Sequence, residues 1–271
     1  MEYITVQDTE IPVLGLGTWR MRGPECRQAV RTALDLGYRH VDTAQAYRNE
    51  REVGAAIKES GVDREDLFLA TKLDWSNRDR ASVHRSTQAS LNKLQTDAVD
   101  LLLIHQRNLR TPLEETLGAM AELREEGLVR HIGVSNFSVE RLDHARQLAD
   151  APVFTDQVQY HPFWDQRDLL EYCRIHDVLL TAYSPLAHGG ALGDDLLRSV
   201  GTRHGKTPAQ VALRWLVQQE GVATIPKSTS REHLESNLAV FDFELTDREM
   251  RAIRRPSRAR TAAHFVRGRL S

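Results

Sequence analysis

Residues 99–105 read VDLLLIH, and residues 113–135 read LEETLGAMAELREEGLVRHIGVS. Apart from Asp100, the first run is apolar until its last residue, as expected of a strand buried on both faces. Leu113 to Glu126 carries a helical period, Gly127 stops it, and His131 to Ser135 is a second short run rich in β-branched residues. Strand, helix and strand of this kind make a parallel pair joined by a crossover. The same alternation extends in both directions. Strand runs are read at Val13 to Gly17, His40 to Asp42, Leu67 to Lys72, Val99 to His105, His131 to Ser135, Thr155 to Gln159, Val178 to Tyr183 and Val222 to Lys227. Helical stretches include Ala29 to Leu36, Val83 to Leu94, Leu169 to His176 and Val211 to Gln219. Thr111-Pro112 and Thr207-Pro208 each place a capping hydroxyl before a proline at the first helical position. Thr246 and Glu249 form a capping box, and Gly37, Gly61 and Gly205 act as further helix stops.

Alternation repeated about eight times without a linker predicts one α/β domain over residues 1–271, a (β/α)8 TIM barrel. An open doubly wound sheet is the alternative. Ile4 to Leu14, with a turn around Asp8 to Glu10, is expected to form an N-terminal β-hairpin that closes the bottom of the barrel.

The 271 residues are 41% hydrophobic and carry a formal net charge of −2, which gives no electrostatic case for nucleic acid or an anionic membrane. Cys26 and Cys173 match no metal or redox spacing. The start, MEYITVQDTE, lacks the basic and apolar parts of a signal peptide, and no run approaches a membrane span. These features predict a cytoplasmic monomer with no bound metal. From Arg251 onward the chain has seven arginines (251, 254, 255, 258, 260, 267 and 269) and no acid, read as solvated charge or as a tail near an anionic ligand.

In a barrel, chemistry sits at the C-terminal ends of the strands. Asp42 with nearby Tyr47, then Lys72, then His105 stand at or just past the ends of successive runs, where an apolar strand has no use for them. Ser135 with Asn136, Gln157, Tyr183 with Ser184, and Lys227 with Ser228 extend the ring. A phenol with an ordinary pKa of about 10 exchanges protons poorly at neutral pH. An adjacent ammonium lowers that pKa, Asp42 supplies a counter-charge to a buried lysine, and His105 can hydrogen-bond a substrate oxygen. Such a set suits protonation of a developing alkoxide. Each residue alone also has a structural reading: Asp42 as a turn cap, Tyr47 as a loop aromatic, Lys72 as a partner of a surface acid, His105 as a core histidine. Competing motifs fail. Gly15-x-Gly17 lacks the third glycine of a dinucleotide fingerprint, Ser90-x-x-Lys93 sits mid-helix without partner motifs, and no HExxH occurs.

The stretches GLGTWR (15–20), HVDTAQAY (40–47), LATK (69–72), DLLLIHQ (100–106), GVSNF (133–137), DQVQYHP (156–162), AYSPLA (182–187), TPAQVALRW (207–215), IPKST (225–229) and ESNLAVFDFELT (235–246) resemble, in order and spacing, the aldo-keto reductases. The look is nearest to bacterial short-loop members that reduce diketogluconate and methylglyoxal. The resemblance implies NAD(P)H-dependent reduction of small polar aldehydes or ketones, with a small-molecule carbonyl substrate and NADPH as cofactor. It implies Tyr47 as general acid, Lys72 and Asp42 as the pair lowering its pKa, and His105 as the residue orienting the carbonyl. Ser135, Asn136 and Gln157 would hold the nicotinamide carboxamide, and Tyr183 would stack on the ring. Ser184 and Leu186 would pass the pyrophosphate, Lys227 and Ser228 would meet the 2′-phosphate, and Asn237 the adenine. The chain also departs from the family. His233 stands where an arginine commonly grips the 2′-phosphate, which makes NADH use possible; Arg231 is the nearby compensating cation. Ser236 replaces an acidic adenine contact. Trp19 is kept, but Gln106 replaces a tryptophan, and Asp74 falls at a usual aromatic position with Trp75 next to it. These four are the expected substrate-pocket residues, with Phe163, Trp164 and the tail residues His264 and Phe265 available to refill the space. A non-catalytic nicotinamide-binding barrel is the alternative function, and a Schiff-base lyase using Lys72 or Lys227 a more distant one.

Overall fold

The computed structural model describes residues 1–106 and 111–254. Strands β1 (Tyr3–Val6) and β2 (Thr9–Pro12) pair antiparallel, Val6 opposite Thr9. The turn between them is Gln7-Asp8, both left-handed at φ 46° and 59°. Two such residues match the twist of a hairpin, so the turn falls before Glu10, which lies in β2 opposite Thr5. Val6 and Ile11 of this hairpin pack with Phe68, Ala70, Leu101, Leu103, Phe154, Leu179 and Ala223, the apolar interior of the sheet. The expected closure device is present, and Gln7 ties it down through Val153 O and Asp177 O.

Eight parallel strands follow: β3 (Leu16–Gly17), β4 (His40–Asp42), β5 (Phe68–Leu73), β6 (Val99–Ile104), β7 (Val129–Ser135), β8 (Val153–Gln159), β9 (Leu179–Tyr183) and β10 (Val222–Thr224), neighbours in chain order. A parallel bridge between Leu14 and Thr224 joins the two ends. Gly15 N donates to Thr224 O at 2.8 Å and Gly17 N to Pro226 O at 3.1 Å across the same seam. The two glycines serve this approach: a Cβ on Gly17 would lie 2.6 Å from Ile225 O, and one on Gly15 2.7 Å from the His40 ring. The runs expected at Val13 to Gly17 and Val222 to Lys227 are therefore shorter as strands, because Pro226 has no N–H to extend the ladder and Lys227 stands in the loop beyond.

Helices α1 (Gly23–Asp35), α2 (Glu50–Ser60), α3 (Arg80–Leu94), α4 (Leu113–Glu125), α5 (Val139–Leu148), α6 (Arg167–Ile175), α7 (Asp195–His204), α8 (Pro208–Val217), α9 (Arg231–Leu238) and α10 (Asp247–Arg254) cover the outside. Thr207 and Gln210 make a reciprocal capping box on α8, and Glu249 accepts from Thr246 N at 2.9 Å. Thr111-Pro112 behaves differently. Pro112 is itself the N-cap of α4, and no side chain caps that helix. The arginine and aromatic tail beyond Arg254, with His264 and Phe265, lies outside the described residues.

At the closed end His131 stacks on Phe154 (centroids 4.2 Å apart) and lies 3.2 Å from Thr9 Oγ1 through Nε2. Burial, followed by the Arg124 charge, pushes its pKa down to about 4. An unfolded histidine titrates near 6.5, so between these values the unfolded chain binds the extra proton and stability falls as pH falls. The unfolding free energy, followed by urea denaturation from pH 7 to pH 4, is expected to drop less steeply in His131→Gln than in the parent. Parallel slopes would remove His131 as a source of acid lability.

Candidate active site

Asp42 ends β4 and Lys72 sits on β5, pointing into the same end of the barrel; both are buried, 2% and 1% exposed. Lys72 Nζ contacts Asp42 Oδ1 at 2.5 Å and Thr43 O at 2.9 Å. The other Asp42 oxygen accepts from Gln157 Nε2 at 2.8 Å, so every oxygen of this buried carboxylate has a donor. Tyr47 closes a 3-10 turn (Gln45–Tyr47) after β4 and places its hydroxyl 3.5 Å from Lys72 Nζ. Its ring meets His105 edge-on at 5.5 Å. The four chemistry-bearing residues thus converge, although 63 residues separate the first from the last.

Their electrostatics differ in one respect from the expectation. Burial holds the Tyr47 phenol above its ordinary pKa; the Lys72 charge pulls it down, and Asp42 pushes it up again. Lys72 lowers the phenol's pKa as predicted, but burial outweighs it and Asp42 adds to the upward push, so the net displacement is upward. Burial also opposes the Lys72 ammonium, yet Asp42 and Tyr47 together hold it charged. His105 is pushed down to about 4, first by burial and then by Lys72, and is a neutral imidazole at pH 7.

A cavity of about 600 Å³ opens above this set. Asp42, Tyr47, His105, Ser135, Asn136, Gln157, Tyr183, Ser184, Leu186 and Lys227 line it, as do Trp19 and Gln106. Ser135 Oγ donates to Gln157 O at 2.7 Å, and Asn136, at φ 63°, donates to Ser135 Oγ at 3.0 Å. Tyr183 Oη donates to Asn136 Oδ1 at 2.7 Å. These bonds lock one polar wall. Because the Gln157 amide nitrogen serves a carboxylate that can only accept, its carbonyl oxygen is left as the acceptor that a carboxamide N–H would meet. The donor and acceptor set therefore fits a nicotinamide carboxamide, and the cavity volume falls in the usual range for small-molecule sites.

Other predicted residues stand apart. Asp74 and Trp75 do not line the cavity. Asp74 instead turns its Oδ1 to Ser76 N and Oγ, at 3.1 and 2.9 Å, an Asx turn in the segment before α3. Ser228 accepts from Ser230 N and donates to Ser230 O, both at 3.2 Å. His233 is exposed in the first turn of α9, Arg231 pairs with Glu235 at 2.9 Å, and Asn237 is buried against Tyr38. Among the lining residues that escaped the reading of strand ends are Gln159, His188 and Ile225. Gln159 ends β8 on the same alternation as Gln157, a signal present in the sequence. His188 lies in the glycine-containing 3-10 segment Ala187–Gly193 and meets the Trp19 ring edge-on at 6.0 Å. Ile225 reaches the cavity only because the seam brings β10 against β3.

Among the described residues no helix is long and apolar enough to cross a membrane, and no group of three or more His, Cys, Asp or Glu is placed to hold a metal ion. Residues 13–257 match the model of the aldo/keto reductase family. The methylglyoxal reductase DkgB of Escherichia coli O157:H7 is 41% identical over 246 residues, covering 90% of this chain and 92% of that one. The glyoxal reductase of Bacillus subtilis is 39% identical, covering 89% and 87%. A crystal structure provisionally described as a 2,5-diketo-D-gluconic acid reductase B superposes with a TM-score of 0.92 at 47% identity, over 95% of this chain and 92% of that one. With this barrel, and with matches spanning nearly the whole length, the chain belongs to the aldo/keto reductase family.

Proposed function

We propose that the protein is an NADPH-dependent reductase of small polar aldehydes and ketones, of the methylglyoxal or keto-sugar type, working as a single-domain cytoplasmic monomer. The observation that carries this reading is the convergence of Tyr47, Asp42 and His105 on one cavity, with buried Lys72 in contact with Asp42 and Tyr47. A bound reduced nicotinamide supplies the hydride. Ser135, Asn136 and Gln157 hold its carboxamide and so fix which ring face meets the substrate, while Tyr183 packs against the ring. Ser184 and Leu186 pass the pyrophosphate, and Lys227, with Ser228, His233 and Asn237 further out, serves the adenosine end. Neutral His105 orients the carbonyl oxygen by a hydrogen bond, and Tyr47 delivers the proton to that oxygen as charge develops on it. With burial holding its pKa above the ordinary phenol value, Tyr47 is protonated at neutral pH, the state a reductase needs.

Gln106, Gln159 and His188 bring polar groups to the cavity lining beside the apolar Trp19, Leu186 and Ile225. That mixture favours small hydrophilic carbonyls. Methylglyoxal and a keto-sugar are expected to show higher kcat/KM than bulky aromatic ketones; the reverse order would contradict the assignment, and no cofactor oxidation with any carbonyl would leave only a binding function.

His233 bears on cofactor choice. Neutral histidine offers a phosphate one donor, whereas arginine offers a charged fork, and Arg231 is engaged with Glu235. The parent is expected to accept NADH, and His233→Arg to raise the NADPH-over-NADH ratio of kcat/KM by about tenfold. An unchanged ratio would show that position 233 does not meet the 2′-phosphate.

A further inference from the structure

Arg78, in the segment between β5 and α3, is 2% exposed. Its Nη2 donates to Gln106 O at 3.0 Å, but among the described residues Nε and Nη1 have no partner. Unmade hydrogen bonds on a buried guanidinium are costly. No carboxylate among the described residues pairs with it: Asp74 turns to Ser76, and Glu115 accepts from Arg80 N. Burial pushes the Arg78 pKa down to about 10 against the pull of Asp74, which leaves the group charged at neutral pH.

Arg78 lines a separate cavity of about 210 Å³, together with Thr111, Thr116, Phe137, Arg141 and His144. It shares no lining residue with the larger cavity. The N-terminus of α4 borders it through Leu113, and its N-cap Pro112 supplies no side-chain acceptor, so among the described residues no side chain caps its first N–H groups. Thr116 Oγ1 donates to Arg78 O and holds that backbone in place. Arg141 and His144 are exposed at the rim, and the first-turn acids Glu114 and Glu115 are exposed and do not line the cavity.

We infer that this cavity is an anion site for a small oxyanion, phosphate or a carboxylate, taken by Arg78 and the open end of α4 with Arg141 at the rim. The inference stands on this geometry alone and does not depend on the reductase reading. Occupancy lies one hydrogen bond from Gln106, the residue after His105, and so bears on the wall of the larger cavity.

The test is calorimetric titration of inorganic phosphate, and separately of acetate, at low ionic strength and without chloride. Saturable binding of at least one of them is expected in the parent, and which one binds more tightly names the source. Affinity should be kept in Lys227→Ala, which alters only the larger cavity, and weakened about ten- to a hundredfold in Arg78→Met. If Arg78→Met does not fold, the exposed substitution Arg141→Glu carries the test through the same loss of affinity. Absence of saturable binding of either anion to the parent overturns the site. So does parent affinity in Arg78→Met or Arg141→Glu, and loss in Lys227→Ala alone would place the anion in the larger cavity.

Discussion

Tyr47→Phe is expected to lower kcat for methylglyoxal reduction by about 10²- to 10⁴-fold, the usual contribution of a positioned general acid, with little change in cofactor affinity. Only the hydroxyl is removed. The ring keeps its edge contact with His105, and Lys72 keeps its pairing with Asp42. What disappears is a group that is protonated at neutral pH yet close enough to an ammonium to release its proton, at 3.5 Å from Lys72 Nζ. Steady-state kinetics, with cofactor affinity from fluorescence quenching, would separate the two effects. Full rate in the variant would sink the acid role and move attention to His105. A matched loss of cofactor binding would instead mean that the ring, through its packing, shapes the cofactor site.

Lys72→Met is expected to cost about 3–5 kcal/mol of folding stability, because it strands a buried charge. Asp42 would keep only the Gln157 donor, in surroundings that are 2% exposed. Adding Asp42→Asn removes the stranded charge, and the double variant should regain most of the loss, since replacing both members of a buried pair is often close to neutral. Activity should stay low in both, since the phenol has lost its cation. Urea denaturation at pH 7 measures the first effect and carbonyl reduction the second. A single-variant cost under about 1 kcal/mol would show that water reaches the pair and that it does not act as a buried ion pair.

The elements were legible where burial leaves its mark on composition. Runs such as Leu101 to Ile104 are apolar throughout because helices cover one face of a parallel barrel and the interior fills the other, so a lone His, Lys or Asp at their ends stands out. The hairpin was legible too, although its turn lies two residues earlier than the Asp-x-Glu pattern suggests, because Gln7 as well as Asp8 accepts a left-handed backbone. Strand ends at the seam were less legible. Pairing between Leu14 and Thr224 joins residues 210 positions apart, and no local pattern carries that register.

The sequence by itself determined the strand–helix alternation, the family its motifs resemble and the residue types at the strand ends, since those follow from period, strand-end chemistry and motif order along the chain. Only the tertiary structure decided which of them act together. It set the Tyr47 phenol above its ordinary pKa, because burial outweighs a lysine already paired. It turned Asp74 away from the cavity, because its own loop satisfies the carboxylate first. It left Arg78 buried with two nitrogens unpartnered among the described residues, because partners for a side chain come from elements far apart in sequence, and their presence or absence is a property of packing.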